Sequence, residues 1–126
     1  MASILVVDDS PTVLKIVRLA LSSQGHKVIT CDTGEKALEI LKSDISIHLG
    51  IFDFNMPGIS GIELIREVKK VRSQKAFKFL VLSTEDKPEI ISKALANGAD
   101  VWMIKPFNNE QLIKQVTELI EKDVSI

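Results

Sequence analysis

This chain has little of what staples, anchors or strongly charges a protein. Its single cysteine, Cys31, cannot pair within the molecule, so no internal disulfide holds the fold. A lone thiol and no secretory leader fit a reducing, cytoplasmic setting: residues 1–7 are too few for a signal h-region and run straight into Asp8-Asp9. No stretch approaches the ~18 apolar residues of a membrane span, so no membrane insertion is expected. With 16 Lys+Arg against 17 Asp+Glu the net charge is −1, which gives no general attraction to nucleic acid or anionic lipid. Linkers, repeats and low-complexity tracts are also absent, and residues 1–126 are expected to form one domain. What remains is 45% hydrophobic and 26% charged, an ordinary balance for a soluble domain. A chain of this length buries roughly two-thirds of the surface its unfolded form exposes.

Short apolar runs alternate with helix-period segments, the mark of βα units and a parallel sheet. Strands are predicted over 4–7, 27–30, 49–52, 78–82 and 101–104. Pro11 opens a helix through about Ser23, with Val13, Ile16, Val17 and Ala20 on one face and Gly25 near its end. A second helix spans 33–42 and carries Ala37, Leu38 and Leu41. Ser60 and Glu63 have capping-box spacing ahead of Ile62, Ile65 and Val68. Pro88 opens a fourth helix that ends near Asn97-Gly98, and Asn108 or Asn109 caps a fifth with Leu112, Val116 and Leu119 inward. The result is an α/β fold of five βα units.

Four of the apolar runs end in reactive polar residues: Asp8-Asp9, Asp53, Ser83 and Lys105-Pro106. The C-terminal ends of parallel strands open onto one crevice, so these side chains can share a site. An Asp pair alone is as well explained by helix capping. Three converging carboxylates are different, because two unit charges ~4 Å apart at an effective dielectric of ~20 repel by about 4 kcal/mol. A cation must offset that, and Mg²⁺ suits a set of carboxylate oxygens completed by water and phosphate oxygens. Lys105 and Ser83 supply an ammonium and a hydroxyl for phosphoryl oxygens. One carboxylate then acts as nucleophile, since an aspartyl-phosphate needs only a positioned Asp oxygen and a phosphoryl donor.

Val7-Asp8-Asp9-Ser10, Asp53-Phe54-Asn55-Met56-Pro57-Gly58, Leu82-Ser83-Thr84-Glu85 and Lys105-Pro106-Phe107 together resemble the receiver domain of two-component response regulators. The likeness is nearest to CheY-like single-domain regulators and covers essentially the whole chain. It implies a doubly wound, flavodoxin-like five-stranded parallel sheet of order 2-1-3-4-5, an order for which CheY is itself a standard example. It also implies that Asp53 accepts a phosphoryl group from a histidine kinase, with Asp8, Asp9, Asp53 and the Asn55 backbone carbonyl holding Mg²⁺. Lys105 then pairs with the acceptor or the phosphoryl group, through a cis Lys105-Pro106 bond. Ser83 moves to meet the phosphoryl group, and Trp102 is the aromatic position coupled to it. Asn55 and Glu85 flank the path of attacking water and tune hydrolysis. A target protein reads the face of the fourth helix, fifth strand and fifth helix, which includes Ile91, Ala99 and Trp102. Such a chain catalyses only its own phosphorylation and dephosphorylation and is expected to be a monomer, with chemotaxis among the pathways open to it.

Departures from the family are few. Trp102 replaces the more usual Tyr or Phe, is bulkier and lacks a phenol. Gly50 and Phe52 stand in the third strand where β-branched residues are common, and the glycine points to a close-packed neighbour. His26 and His48 have no second ligand at metal spacing and are read as surface or strand-end residues. Lys69, Lys70, Arg72, Lys75 and Lys78 are read as a solvated helix end that complements the helix dipole. Met56 and Met103 read as core filling. Two other classes stay open: a haloacid dehalogenase type phosphatase, which needs a second Asp where Asn55 stands, and a degenerate receiver that only scaffolds.

Overall fold

The side chains of Ile4, Leu5, Val6 and Val7 are all fully buried, as a strand covered on both faces requires. They belong to the first strand of the chain, which lies second in a five-stranded parallel sheet whose strands, numbered along the chain, run in the order 2-1-3-4-5. The computed structural model describes residues 2–44, 46–72 and 77–124, the last three by backbone alone. The chain runs β1 (Ser3–Val7), α1 (Pro11–Ser22), β2 (Lys27–Cys31), α2 (Gly34–Ser43), β3 (Ile47–Asp53), α3 (Gly61–Val71), β4 (Lys78–Ser83), α4 (Pro88–Ala96), β5 (Val101–Ile104), α5 (Asn109–Val124).

Alternation along the strands divides the core in two. Leu5, Val7, Phe52, Phe79 and Val81 face α2, α3 and Ala94 of α4. Ile4, Val6, Leu49, Ile51, Leu80 and Leu82 face α1 and α5, through Val17, Leu21, Leu112 and Val116. Helix starts follow the side chains that cap them: Ser10 Oγ accepts from Val13 N–H, and Thr33 Oγ1 from Lys36 N–H. Ser60 Oγ accepts from Glu63 N–H at 3.2 Å and donates to Glu63 Oε1 at 3.2 Å. Between the two candidates for α5, Asn108 is the cap, its Oδ1 accepting from Gln111 N–H at 2.7 Å. No described helix is long and apolar enough to cross a membrane.

β3 starts at Ile47, earlier than its sequence suggests. Ser3 pairs with Ile47 and Ile4 with Leu49, so exposed His48 is an extra residue at an irregularity in the ladder. A polar residue inside the strand hid its first two positions. Gly50 does make room for a neighbour: a Cβ there would lie 2.6 Å from Phe52 Cε1, whose ring packs edge-on against Phe79. Met56 and Met103 are buried. His48 Nδ1 lies 3.1 Å from the Ser46 carbonyl, and His26 Nδ1 accepts from the Ala2 N–H at 3.1 Å.

The basic run is corrected at Arg72. Lys69 and Lys70 are exposed in the last turn of α3, and Lys75 lies outside the described residues. Arg72 instead is only 7% exposed. Its Nη2 donates to the Ile47 carbonyl at 2.6 Å and its Nη1 to those of Leu41 and Asp44, at 3.4 and 3.3 Å. Its guanidinium also lies 5.5 Å from the Phe77 ring centroid. The planar fork thus answers carbonyls at the end of α2 and the start of β3. Arg72→Met keeps the stem and removes the donors, so urea unfolding should show a loss of about 2–3 kcal/mol. Lys70→Met should stay within about 0.5 kcal/mol.

Candidate functional site

The strand order puts β1 beside β3, and Asp8 and Asp53 therefore emerge side by side. Asp8 is held by its own backbone, its N–H donating to the Cys31 carbonyl at 3.2 Å, and its Oδ1 accepts from Ser10 N–H at 2.9 Å. Asp53 ends β3 opposite Leu82 of β4. The chain then turns sharply, with Phe54 N–H donating to the Leu82 carbonyl and Gly61 N–H to the Phe54 carbonyl. Gly61 permits this closeness: a Cβ would lie 2.9 Å from Phe54 Cα. Lys105 follows β5, its N–H bonded to the Ser83 carbonyl at 2.7 Å, and its side chain reaches across β4. The Lys105-Pro106 peptide is cis.

Lys105 Nζ donates to Asp8 Oδ2 at 2.9 Å and to Asp53 Oδ1 at 3.3 Å. Asp8 is 1% and Asp53 5% exposed, so water screens these charges little. Oxygen atoms of Asp8, Asp9 and Asp53 lie within 4.8 Å of one another, with Asp9 the exposed member. Burial pushes the Asp53 carboxyl up, and the Asp8 charge adds to it; the Lys105 ammonium and the Asn55 N–H offset only part. For Lys105, burial acts against the ammonium, but its bonds and attraction to Asp8 and Asp53 together hold its pKa above the ordinary value. Three carboxylates against one ammonium leave a surplus of negative charge, and hard oxygen donors in that arrangement fit a divalent cation. Ser83, 1% exposed, holds its Oγ toward the Glu85 N–H at 2.9 Å.

The model of the response regulator receiver domain matches residues 4–117. The chain belongs to that family. It is 32% identical over 119 residues to the two-component response regulator ORR3 of rice, Oryza sativa, covering 94% of this chain and 91% of that protein. Chemotaxis protein CheY4 of Vibrio cholerae has a structure similar to it, with a TM-score of 0.88, 34% identity and coverage of 94% and 98%. TrrA of Thermotoga maritima, solved in complex with Mg²⁺-BeF, gives a TM-score of 0.80 and 34% identity over 94% of this chain and 99% of that one.

Within this receiver, Trp102 is half-buried, its ring centroid 5.0 Å from that of Phe54. Its Nε1–H donates to the Glu85 carbonyl at 3.1 Å, so the indole supplies a donor where tyrosine would offer a phenol. Glu85 is half-buried, and its Oε1 accepts from the Lys87 N–H at 3.2 Å. Asn55 is exposed in the loop after Asp53. On the face built by α4, β5 and α5, Ile91 is half-buried, whereas Ala99 is buried and packs beneath the surface. Ile104 and Leu95, 41% and 45% exposed, are the large apolar side chains there that sequence reasoning passed over. The signal was present: Ile104 alternates with buried Met103 on a strand at the sheet edge.

The raised Asp53 pKa has a stability consequence. Its contribution is present below the ordinary value of 3.8 and is lost as pH rises through the higher folded value. At neutral pH, without divalent cations, the ionised carboxylate therefore destabilises the fold. Asp53→Asn should raise the midpoint of thermal unfolding at neutral pH by about 4 °C, the effect of roughly 1 kcal/mol in a chain of this size. The gain should vanish below the ordinary carboxylate pKa; a constant gain across pH would show that charge is not its cause.

Proposed function

We propose that this receiver takes a phosphoryl group from a histidine kinase onto Asp53 and thereby changes what its α4-β5-α5 face binds. The observation that carries this reading is the buried Asp53 carboxylate, 3.3 Å from the Lys105 ammonium and grouped with Asp8 and Asp9. Asp8, Asp9 and Asp53 would hold Mg²⁺, with the Asn55 carbonyl as a further ligand. When bound, the ion supplies positive charge for the oxygens of the transferring group. An Asp53 oxygen forms the new O–P bond while the N–P bond of the donor phosphohistidine breaks, and the leaving imidazole nitrogen takes a proton. Lys105 steadies negative charge on the acceptor and the phosphoryl group, and Ser83 donates to a phosphoryl oxygen. The chain acts on itself and turns over no second substrate.

The output surface has the character of a partner site. A groove of about 470 Å³ between β5 and α5 is lined by Trp102, Ile104, Gln111 and Lys114 among others. With Ile104 and Leu95 exposed on the same face, a protein target can cover apolar area there. Similarity to CheY4 favours a chemotaxis-type role.

Incubation with acetyl phosphate and Mg²⁺, read by intact mass, should add one phosphoryl group to the wild type and none to Asp53→Asn. Label persisting in that variant would move the acceptor elsewhere. Asp9→Ala should bind Mg²⁺ more weakly and label more slowly, whereas His48→Ala should match the wild type, because a hard cation prefers carboxylate oxygen to imidazole. A slower His48→Ala with an unchanged Asp9→Ala would misplace the metal.

A further inference from the structure

Gly34 opens α2 and is buried, and its backbone lies outside the left-handed region that calls for glycine. Alanine is the better helix former, so helix propensity alone would favour a methyl group there. Ile59 forbids it. A Cβ on Gly34 would run into Ile59 Cγ2 and would lie 3.7 Å from Leu64 Cδ1 of α3. Ile59 belongs to the loop between β3 and α3, and Gly58 before it, at φ +84°, makes the turn that presents it to α2. Early in that loop stands Asn55, whose N–H donates to the Asp53 carboxylate and whose carbonyl is the proposed further ligand of the cation. The loop is therefore held at two places. Its ends meet where Gly61 N–H donates to the Phe54 carbonyl at 3.0 Å, and its far side rests on Gly34.

We propose that the seat of Ile59 on Gly34 sets the position of the β3–α3 loop, and with it the Asn55 backbone groups that serve Asp53 and the cation. Gly34 and Ile59 are positioning residues, since neither has a polar side-chain atom to offer. The hold on the cation rests on the reading of Asp8, Asp9 and Asp53 as a Mg²⁺ site; the hold on Asp53 does not. Packed interiors leave no room for an added carbon, so a methyl group on Gly34 must push one of the two partners aside. α2 is the firmer, with its start capped by Thr33 Oγ1 and with Ala37 and Leu41 fully buried. The loop has no helix or strand ladder of its own, and it yields. Mg²⁺ demands near-ideal octahedral geometry, so a small shift of one ligand carbonyl is felt in affinity. A contact on α2 thereby governs a site at the ends of β1 and β3 without adding a group to it.

Calorimetric titration of the full chain with Mg²⁺ tests this. Gly34→Ala should bind the ion about tenfold more weakly, the lower end of the loss that follows when the support of a metal ligand is disturbed. Ile59→Ala takes away the seat without adding an atom and should weaken binding by less. The double variant Gly34→Ala/Ile59→Ala, in which the new methyl meets no branched side chain, should bind more tightly than Gly34→Ala. Arg72→Met, at the opposite end of β3, should melt earlier yet bind Mg²⁺ as the wild type does, which separates positioning from lost stability. In nuclear magnetic resonance of the cation-free chain, the Asn55 amide proton should move upfield in Gly34→Ala, as a weakened hydrogen bond requires, and return toward its place in the double variant. Wild-type affinity in Gly34→Ala, a double variant no tighter than Gly34→Ala, or an equal loss in Arg72→Met would overturn the proposal. Should Gly34→Ala not fold, unchanged affinity in Ile59→Ala would overturn it as well. A wild type that binds no Mg²⁺ would overturn the metal reading instead, and the Asn55 signal in the cation-free variants would then decide whether the contact positions the acceptor.

Discussion

Lys105 Nζ stands between two nearly buried carboxylates, 2.9 Å from Asp8 and 3.3 Å from Asp53, and the layout of the molecule serves that contact. At an effective dielectric of ~20, two charges ~4 Å apart interact by about 4 kcal/mol, so the acidic pair cannot sit at the strand ends without a nearby cation. The order β2-β1-β3 makes Asp8 and Asp53 neighbours, while β4 separates β3 from β5. A short cation after β5 would not span that gap, and the long lysine stem does. Buried ion pairs of this kind add little to stability, since desolvation offsets most of the attraction. Their value on the proposed reading is chemical, since the surplus negative charge of Asp8, Asp9 and Asp53 would favour a bound cation.

The strand ends were legible in the sequence for one reason. A parallel sheet collects the C-terminal ends of its strands at one edge, so Asp8, Asp53, Ser83 and Lys105 are brought together by topology alone. The five helices were legible from period and from local start signals, Pro11, the Ser60–Glu63 spacing, Pro88 and the Asn108-Asn109 pair, whereas the caps at Ser10 and Thr33 appear only in the structure. What local reasoning missed depends on contacts across the fold. His48 reads as a surface or strand-end residue until the pairing of Ser3 and Ile4 shows it inside an irregular strand. Arg72 reads as one more cation in a basic run; only the folded chain shows the carbonyls of Leu41, Asp44 and Ile47 converging on it. Ala99 belongs by position to the output face but is too small to reach the surface past its neighbours.

Inside the site, Glu85 makes a contact that residue type alone does not announce, its Oε1 accepting from the Lys87 N–H. Backbone groups are strong, obligatory hydrogen-bonding partners, and the N–H groups at a helix start lack partners within the helix. A carboxylate within reach of one is drawn to it, with the helix dipole favouring negative charge there.

That arrangement bears on how far one phosphoryl group can move the chain. Charge-assisted bonds from Ser83 and Lys105 to a phosphoryl group on Asp53 would supply roughly 1.5–3 kcal/mol each. Taking a population from 1:99 to 99:1 requires about 5.5 kcal/mol, so these two bonds alone only just suffice. Part of what Lys105 gives is already engaged in the resting state by Asp8 and Asp53. On the proposed reading, a change of state must therefore break only weak contacts. The bond from the Lys87 N–H to Glu85 is one, since it is exposed and water can replace a lost partner there. The sheet beneath, with Leu82 and Val81 almost wholly enclosed, offers no such exchange with water. Movement would cost least in the loop and helix edge, where hydrogen bonds exchange with water at the smallest loss of free energy.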